Sequence, residues 1–249
     1  ARTSFAAFLL SAIVGLVAAI GTRLGFWSQD FGLSILLPWC LGVDAFALVL
    51  GAVWVGWAII ANDSTSARYG LIGVVGAGII LFNPAMDYWN SRGLPSLSDV
   101  TTDTENPPLF ASLLTQRGKT ATPPGYDGDA KVTWEGKTTT VSLLQHKYYG
   151  DIHSVAILMS PERLFRRAVA AAYKMGWDVV AIAPDEGRIE ATDTSFFFGI
   201  TDDIVIRVRP SGMGAKLDIR SKSRVGVSDV GKNAARIREF VKTLARTSG

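Results

Sequence analysis

The sequence predicts three transmembrane helices followed by a soluble α+β domain, in which a helix, a four-stranded antiparallel sheet and a second helix follow in order. The first observation is charge: of 25 Lys and Arg residues, only Arg2, Arg23 and Arg68 lie within residues 1–90. The second is periodicity, because apolar residues beyond that region alternate as in half-buried strands or recur at helical spacing. Residues 1–90 therefore form the membrane region, and residues 131–249 the soluble domain.

The three predicted spans are residues 3–22, 38–61 and 69–86. Each run is close to the roughly 20 apolar residues that cross a bilayer. A cleaved signal peptide is the competing interpretation of the first run. Small residues would let the helices approach closely, and the candidate packing positions are Ala7, Ser11, Gly15 and Gly73.

Asp44 is the acidic residue within the second predicted span. One interpretation is a proton or ligand site. We favour the other, in which a carboxylate near the membrane boundary faces neighbouring helices or water.

The expected topology follows from the loop arginines. Arg2 and Arg68 would share one side of the membrane and Arg23 the other, which favours a cytoplasmic N-terminus. An odd number of spans would then place the C-terminal domain in the periplasm, with the protein in the bacterial inner membrane.

Residues 91–130 are rich in Ser, Thr, Pro, Asp and Gly and predict an extended tether. The next segment, residues 131–149, is compatible either with a hairpin that turns at Glu135 to Lys137 or with a short helix after Thr140. From Ser160 the chain predicts a capped helix, four strands and a final helix from Lys232. Both helices would cover one face of the sheet, leaving the other face polar.

The last two strands also predict their own register. If Val208 faces Leu217, then Arg207 lies opposite Asp218 on the polar face, and Val205 lies opposite Arg220. Asp218 would neutralise Arg207 and leave Arg220 open to a partner. We therefore expect Asp218→Ala to leave folding intact, and the double change R220E/R224E to weaken an attachment without unfolding the domain.

Four blocks of sequence resemble a known family. They are TTDTENPPLF at residues 101–110, YYGDI at 148–152, EATDTSFFFGITDDIVIRV at 190–208 and DIRSKSRVGVSDVGKNAARIREF at 218–240. Together they are similar to the signature blocks of the bacterial domain-of-unknown-function family 1499, over roughly residues 90 to 246. The resemblance implies membrane-anchored members and supplies no catalytic residue.

The residues give no recognisable catalytic arrangement, so we expect neither an enzyme nor a cofactor. His146 and His153 lack a third ligand at metal-site spacing, and the single cysteine, Cys40, excludes an intrachain disulfide. Asp193, Asp202 and Asp203 are expected to pair with nearby arginines. Nucleic acid is not an expected partner, because the basic segment would lie outside the cytoplasm.

The binding candidates are the polar corner that runs from the last strand into the final helix, and an aromatic run. They are Arg207, Arg209, Arg220, Ser221, Ser223, Arg224, Asp229, Asn233, Arg236, Phe196, Phe197 and Phe198. The corner resembles an anion cradle, but Asp229 is expected to cap the final helix and satisfy it internally.

The expected function is a membrane-anchored accessory or scaffolding subunit whose domain binds a larger membrane protein complex or the membrane surface. The alternative is a module that binds or senses a small anionic or lipid ligand at the corner between Arg220 and Arg236.

Overall fold

The computed structural model describes residues 2–28, 31–95, 97–118, 121–196, 198–225 and 231–247. Its contacts divide the chain into two units. The helical unit is Ala1–Arg92 with Phe196–Gly199, and the α+β unit is Gly93–Ser195 with Ile200–Gly249.

The helical unit contains, in its described part, three α-helices, α1 (Arg2–Leu24), α2 (Leu37–Ile60) and α3 (Ser64–Ser91). Among the described residues, two helices are long and apolar enough to cross a membrane, namely Leu37–Ile60 and Ser64–Phe82. The prediction of three spans is therefore wrong in number. The described apolar part of α1, Ala12–Leu24, is shorter than the roughly 20 residues that cross a bilayer. The cytoplasmic N-terminus and the periplasmic domain stay predictions.

Close packing in this unit involves Gly70, three residues before the candidate packing position Gly73. A Cβ on Gly70 would lie 2.9 Å from Val55 Cγ2 and 3.2 Å from the Gly51 carbonyl oxygen, so α2 and α3 need a glycine here. Gly73 is buried, whereas a Cβ on Gly15 would meet no atom within 4 Å. The side chains of Ala7 and Ser11 lie outside the described residues.

Asp44 is fully buried within α2 of the helical unit. The side chain therefore lies among neighbouring helices, as one form of the favoured interpretation requires.

The α+β unit is built on a six-stranded antiparallel sheet in its described part, not on four strands. The strand order is β1-β8-β7-β6-β5, and β4 also pairs with β8. The strands are β1 (Asp99–Thr101), β4 (Val155–Ile157), β5 (Asp178–Ala183), β6 (Arg188–Thr194), β7 (Thr201–Ser211) and β8 (Gly214–Ser223). Strands β1 and β4 have three residues each, which is too short for alternation to reveal them.

Residues 131–149 adopt both of the alternatives, one after the other. A hairpin forms from β2 (Lys131–Trp134) and β3 (Lys137–Thr140), with positive φ at Glu135 and Gly136. The helix α4 (Val141–Tyr148) follows directly, and the Thr140 side chain caps it by accepting from the Leu143 N–H.

The register of β7 and β8 is confirmed. Val208 pairs with Leu217, Ile206 with Ile219, Arg207 with Asp218 and Val205 with Arg220. The apolar set of this pairing is buried in the main core beneath α5 (Pro161–Lys174) and α6 (Lys232–Arg246).

The prediction of an extended tether for residues 91–130 does not hold for its described part. This segment contains β1 and a 3₁₀ helix (Ser112–Gln116), and Val100 and Leu113 are buried. Phe110 and Leu113 pack against Val205 on the sheet face opposite α5 and α6. The polar composition therefore belongs to a segment that covers the polar face of the sheet.

Candidate functional site

Arg220 lies at the centre of the polar face and is fully buried. Its Nε and Nη2 donate to the two carboxylate oxygens of Asp99 at 2.8 and 2.7 Å. Its remaining donors reach the carbonyl oxygens of Pro108 and Pro124 at 3.2 and 2.8 Å. The Phe110 ring lies 4.9 Å from its guanidinium carbon. Arg220 therefore holds the covering segment onto the sheet, which corrects the expectation that it faces a partner.

The Asp99 carboxylate also binds a second cation, Lys222. Lys222 Nζ donates to Asp99 Oδ2 at 2.8 Å. Burial, together with the charge of Asp99, raises the pKa of Tyr126 above its usual range, although Arg220 opposes this. This part of the polar face is a compact group of charges with little access to water.

Asp218 is fully buried and holds several partners at once. Its Oδ2 accepts from Arg207 at 2.9 Å and from Arg209 at 2.8 Å, and its Oδ1 accepts from Ser154 Oγ at 2.5 Å. The predicted pairing with Arg207 is present, but Asp218 is not on an open surface. Asp218→Ala would remove the buried carboxylate between these cations, so the structure favours a destabilised variant over an intact one.

Two further carboxylates lie on the polar face. Asp203 pairs with Arg224 at 2.8 Å and with Arg117. Glu190 pairs with Arg188 and accepts backbone N–H groups of the 3₁₀ helix and the residue before it, at 2.8 to 3.0 Å. Arg224 is thereby committed within the unit, as Arg220 is.

Arg236 forms a separate cluster on the helix side of the sheet. It donates to Asp193 at 2.9 Å and to Asp202 at 2.6 Å. Ser221 and Asn233 complete the cluster by accepting from Arg236 Nη1 at 3.0 and 2.9 Å. Asn233 Nδ2 donates onward to Ser223 Oγ at 3.1 Å. The expected pairing of Asp193, Asp202 and Asp203 with arginines is confirmed.

The remaining predicted site residues are Asp229 and the aromatic run at residues 196–198. Gly231, not Asp229, is the N-cap of α6, and Asp229 and Phe197 lie outside the described residues. Phe196 is 81 % exposed, and Phe198 is half-buried.

The histidines act as ordinary polar side chains. His146 Nε2 lies 2.9 Å from Thr104 Oγ1, and His153 Nδ1 lies 3.1 Å from the Ser154 carbonyl oxygen. Within the described ranges, no three His, Cys, Asp or Glu side chains are grouped so that they could hold a metal ion.

Sequence reasoning missed an exposed apolar tip, formed by Leu158 and Met213. Their exposed fractions are 84 % and 95 %. Met213 lies in the β7–β8 turn, and a Cβ on Gly214 would lie 3.1 Å from Leu158 Cα, so the two segments meet. One sequence feature could have revealed this tip. Met213 lies between two glycines in a hairpin turn, where polar residues are usual.

Sequence reasoning also missed a cleft of about 630 Å³. It lies between the N-terminal half of α5 and the end of the sheet. Its residues come from four separate elements, so no local pattern marks it.

The Asp151–Arg238 pair predicts a pH dependence. Arg238 donates to both Asp151 oxygens at 2.5 and 2.7 Å, which lowers the Asp151 pKa and raises that of Arg238. Since the carboxyl pKa is depressed on folding, its stabilisation is present above the ordinary Asp pKa of about 3.9 and lost as pH falls through the folded value.

Urea unfolding of the full chain, followed by circular dichroism from pH 7 to pH 3, checks this. Asp151→Asn should be less stable than the wild type at pH 7, and the difference should shrink toward pH 3. Glu239→Gln, at an exposed pair with Lys242 (N–O 3.6 Å), is the control and should show little effect. A difference that stays constant across this range would contradict the assignment.

Comparison with known proteins adds a family match. The family model described as "Protein of unknown function (DUF1499)" matches residues 99–244. Curated proteins give no match.

Two crystal structures show limited similarity. Protein CV1439 from Chromobacterium violaceum is 17 % identical, with 37 % of this chain and 95 % of that chain covered and a TM-score of 0.28. TTHA0849 from Thermus thermophilus is 14 % identical, with coverages of 37 % and 89 % and a TM-score of 0.23. Similarity at these scores carries no functional meaning.

Proposed function

This chain belongs to the DUF1499 family, whose model matches residues 99–244 and takes in the whole polar face described above, and we propose that it is a membrane-associated accessory or scaffolding subunit. The α+β unit binds a partner protein of a larger membrane complex. Two candidate spans support the membrane association. Helical spans fit the bacterial inner membrane, since outer-membrane spans are β-barrel strands.

The apolar tip of Leu158 and Met213 is the observation that carries the proposal. Burying one such side chain is worth about 1.5–3 kcal/mol, and water is a poor environment for two of them on adjoining segments. The cations of the polar face are by contrast already matched by carboxylates within the unit. The partner surface is therefore apolar at its centre.

The alternative of an anionic or lipid ligand at the Arg220–Arg236 corner has less support. Arg220 has no exposed surface, and Arg236 pairs with two carboxylates. An incoming anion would have to displace these partners.

The test is purification in mild detergent, identification of the co-purifying subunits and reconstitution with the purified partner. The double variant Leu158→Ser with Met213→Ser should weaken the complex by at least about tenfold. Leu143→Ser is the matched control, because Leu143 is 62 % exposed on α4 and lies outside the tip. Equal partner retention by the double variant and the wild type would refute the proposal.

A further inference from the structure

The free edge of β5 is an unusual feature of the sheet. β5 is the terminal strand in the order of paired strands, so within the described residues its outer edge meets no other strand. Its sequence, DVVAIA, contains neither Lys nor Pro, the residues that commonly protect an edge strand. Such an edge presents backbone N–H and C=O groups to an added strand.

A bulge limits where a strand could be added. The β5–β6 register shifts between Val179 and Ala181, and regular pairing resumes over Ala181–Ala183. Ile182 pairs with Ile189, which is buried in the core on the helix side of the sheet. Ile182 nevertheless remains 43 % exposed, because α5 does not cover this end of the sheet.

The cleft begins at this uncovered isoleucine. Ile182, Phe165, Val169 and Val208 give it an apolar lining. The turn after β5 is fixed against β7, since the Val208 N–H donates to the Gly187 carbonyl oxygen at 2.8 Å. A preformed cleft of about 630 Å³ is large enough for a side chain of a bound segment.

The charges at the rim favour a cationic neighbour. Three carboxylates line the cleft, from Glu162, Asp185 and Glu186. Glu186 pairs with Arg188 at 2.9 Å, whereas Glu162 and Asp185 have no ion pair with any described residue. Arg209, which also lines the cleft, is committed to Asp218 at 2.8 Å. Arg166 is the remaining lining cation, so two carboxylates stand against one charge.

We propose that the Ala181–Ala183 edge and the adjoining cleft bind an extended segment of a partner protein by strand addition. The segment inserts an apolar side chain beside Ile182 and places a Lys or Arg near Glu162 and Asp185. Backbone hydrogen bonds supply affinity in this mode, and the cleft supplies specificity. The inference rests on the proposed function, for which it names the partner chemistry.

The test uses the full chain in a nonionic detergent and a synthetic peptide, acetyl-Thr-Lys-Thr-Leu-Thr-Lys-Thr-amide, with a photoreactive leucine. The leucine and both lysines of this peptide share one face of an added strand. Crosslinks should map to the cleft, at Phe165 and Ile182. The double variant Glu162→Lys with Asp185→Lys should bind at least about tenfold more weakly, and Glu239→Lys on α6 should bind as the wild type does. The same peptide with Glu in place of Lys should not compete.

Backbone methylation separates strand addition from simple side-chain binding. Only alternate N–H groups of an added strand face β5. N-methylation of one alternate set should therefore abolish crosslinking, and N-methylation of the other set should not. Equal crosslinking of the two N-methylated peptides would overturn the inference. Crosslinks of the unmethylated peptide that spread over the protein surface would overturn it as well. If the peptide does not bind while the Leu158 and Met213 variant still loses its partner, the inference fails and the proposed function stands.

Discussion

Replacing Arg220 with glutamate is expected to unfold the α+β unit at ordinary temperature. The change removes a buried cation from Asp99 and adds a second carboxylate at a fully buried position. Removing one partner of a buried ion pair costs about 3–5 kcal/mol, and the new repulsion adds to it. A whole domain is stable by only about 5–15 kcal/mol. Thermal unfolding followed by circular dichroism and limited proteolysis measures the loss.

Two further variants test whether the buried position of the new charge causes the unfolding. Arg220→Met should cost less than the glutamate change, because Lys222 still pairs with Asp99 at 2.8 Å. Lys242→Glu, at a side chain that is 63 % exposed on α6, should change stability by under about 0.5 kcal/mol. An Arg220→Glu protein that unfolds like the wild type would show that Arg220 is solvated, and would restore the interaction-surface interpretation.

Glu190→Ala is expected to detach the 3₁₀ helix from the sheet and to destabilise the unit by about 3 kcal/mol or more. Glu190 is fully buried and accepts the N–H groups of Ala111, Ser112 and Leu113. Its loss leaves these donors without an acceptor and Arg188 without its buried partner. Hydrogen exchange should show faster exchange at these three amides together with a lower unfolding midpoint.

Two matched variants, Glu190→Gln and Glu186→Ala, separate the loss of the buried carboxylate from the loss of side-chain volume and of an exposed ion pair. Glu190→Gln keeps the size but loses one acceptor oxygen, so its unfolding midpoint should fall between those of the wild type and Glu190→Ala. Glu186→Ala removes an exposed partner of the same Arg188 and should cost under about 1 kcal/mol. If Glu186→Ala were as destabilising as Glu190→Ala, the backbone contacts would not be the reason.

The sequence by itself determined which residues share a face. The apolar residues Ile204, Ile206 and Val208, spaced two apart like Leu217 and Ile219, sufficed to predict the pairing of β7 and β8 residue by residue. The predicted helix from Ser160 begins as expected, with Ser160 capping and Pro161 in its first turn. These features are local, because side-chain direction follows from strand and helix geometry within a few residues.

Only the tertiary structure decided what each face meets. Arg220 looks like a surface arginine in its own strand, yet its carboxylate partner Asp99 lies 121 residues earlier in the chain. The covering segment has short elements and many turns, so its burial leaves no periodic pattern to read. The cleft likewise joins α5, the turn after β5 and the end of β7. Alternation predicts the face of the sheet on which a side chain lies. Its burial depends on distant segments that fold over that face, and local residue spacing does not predict such contacts.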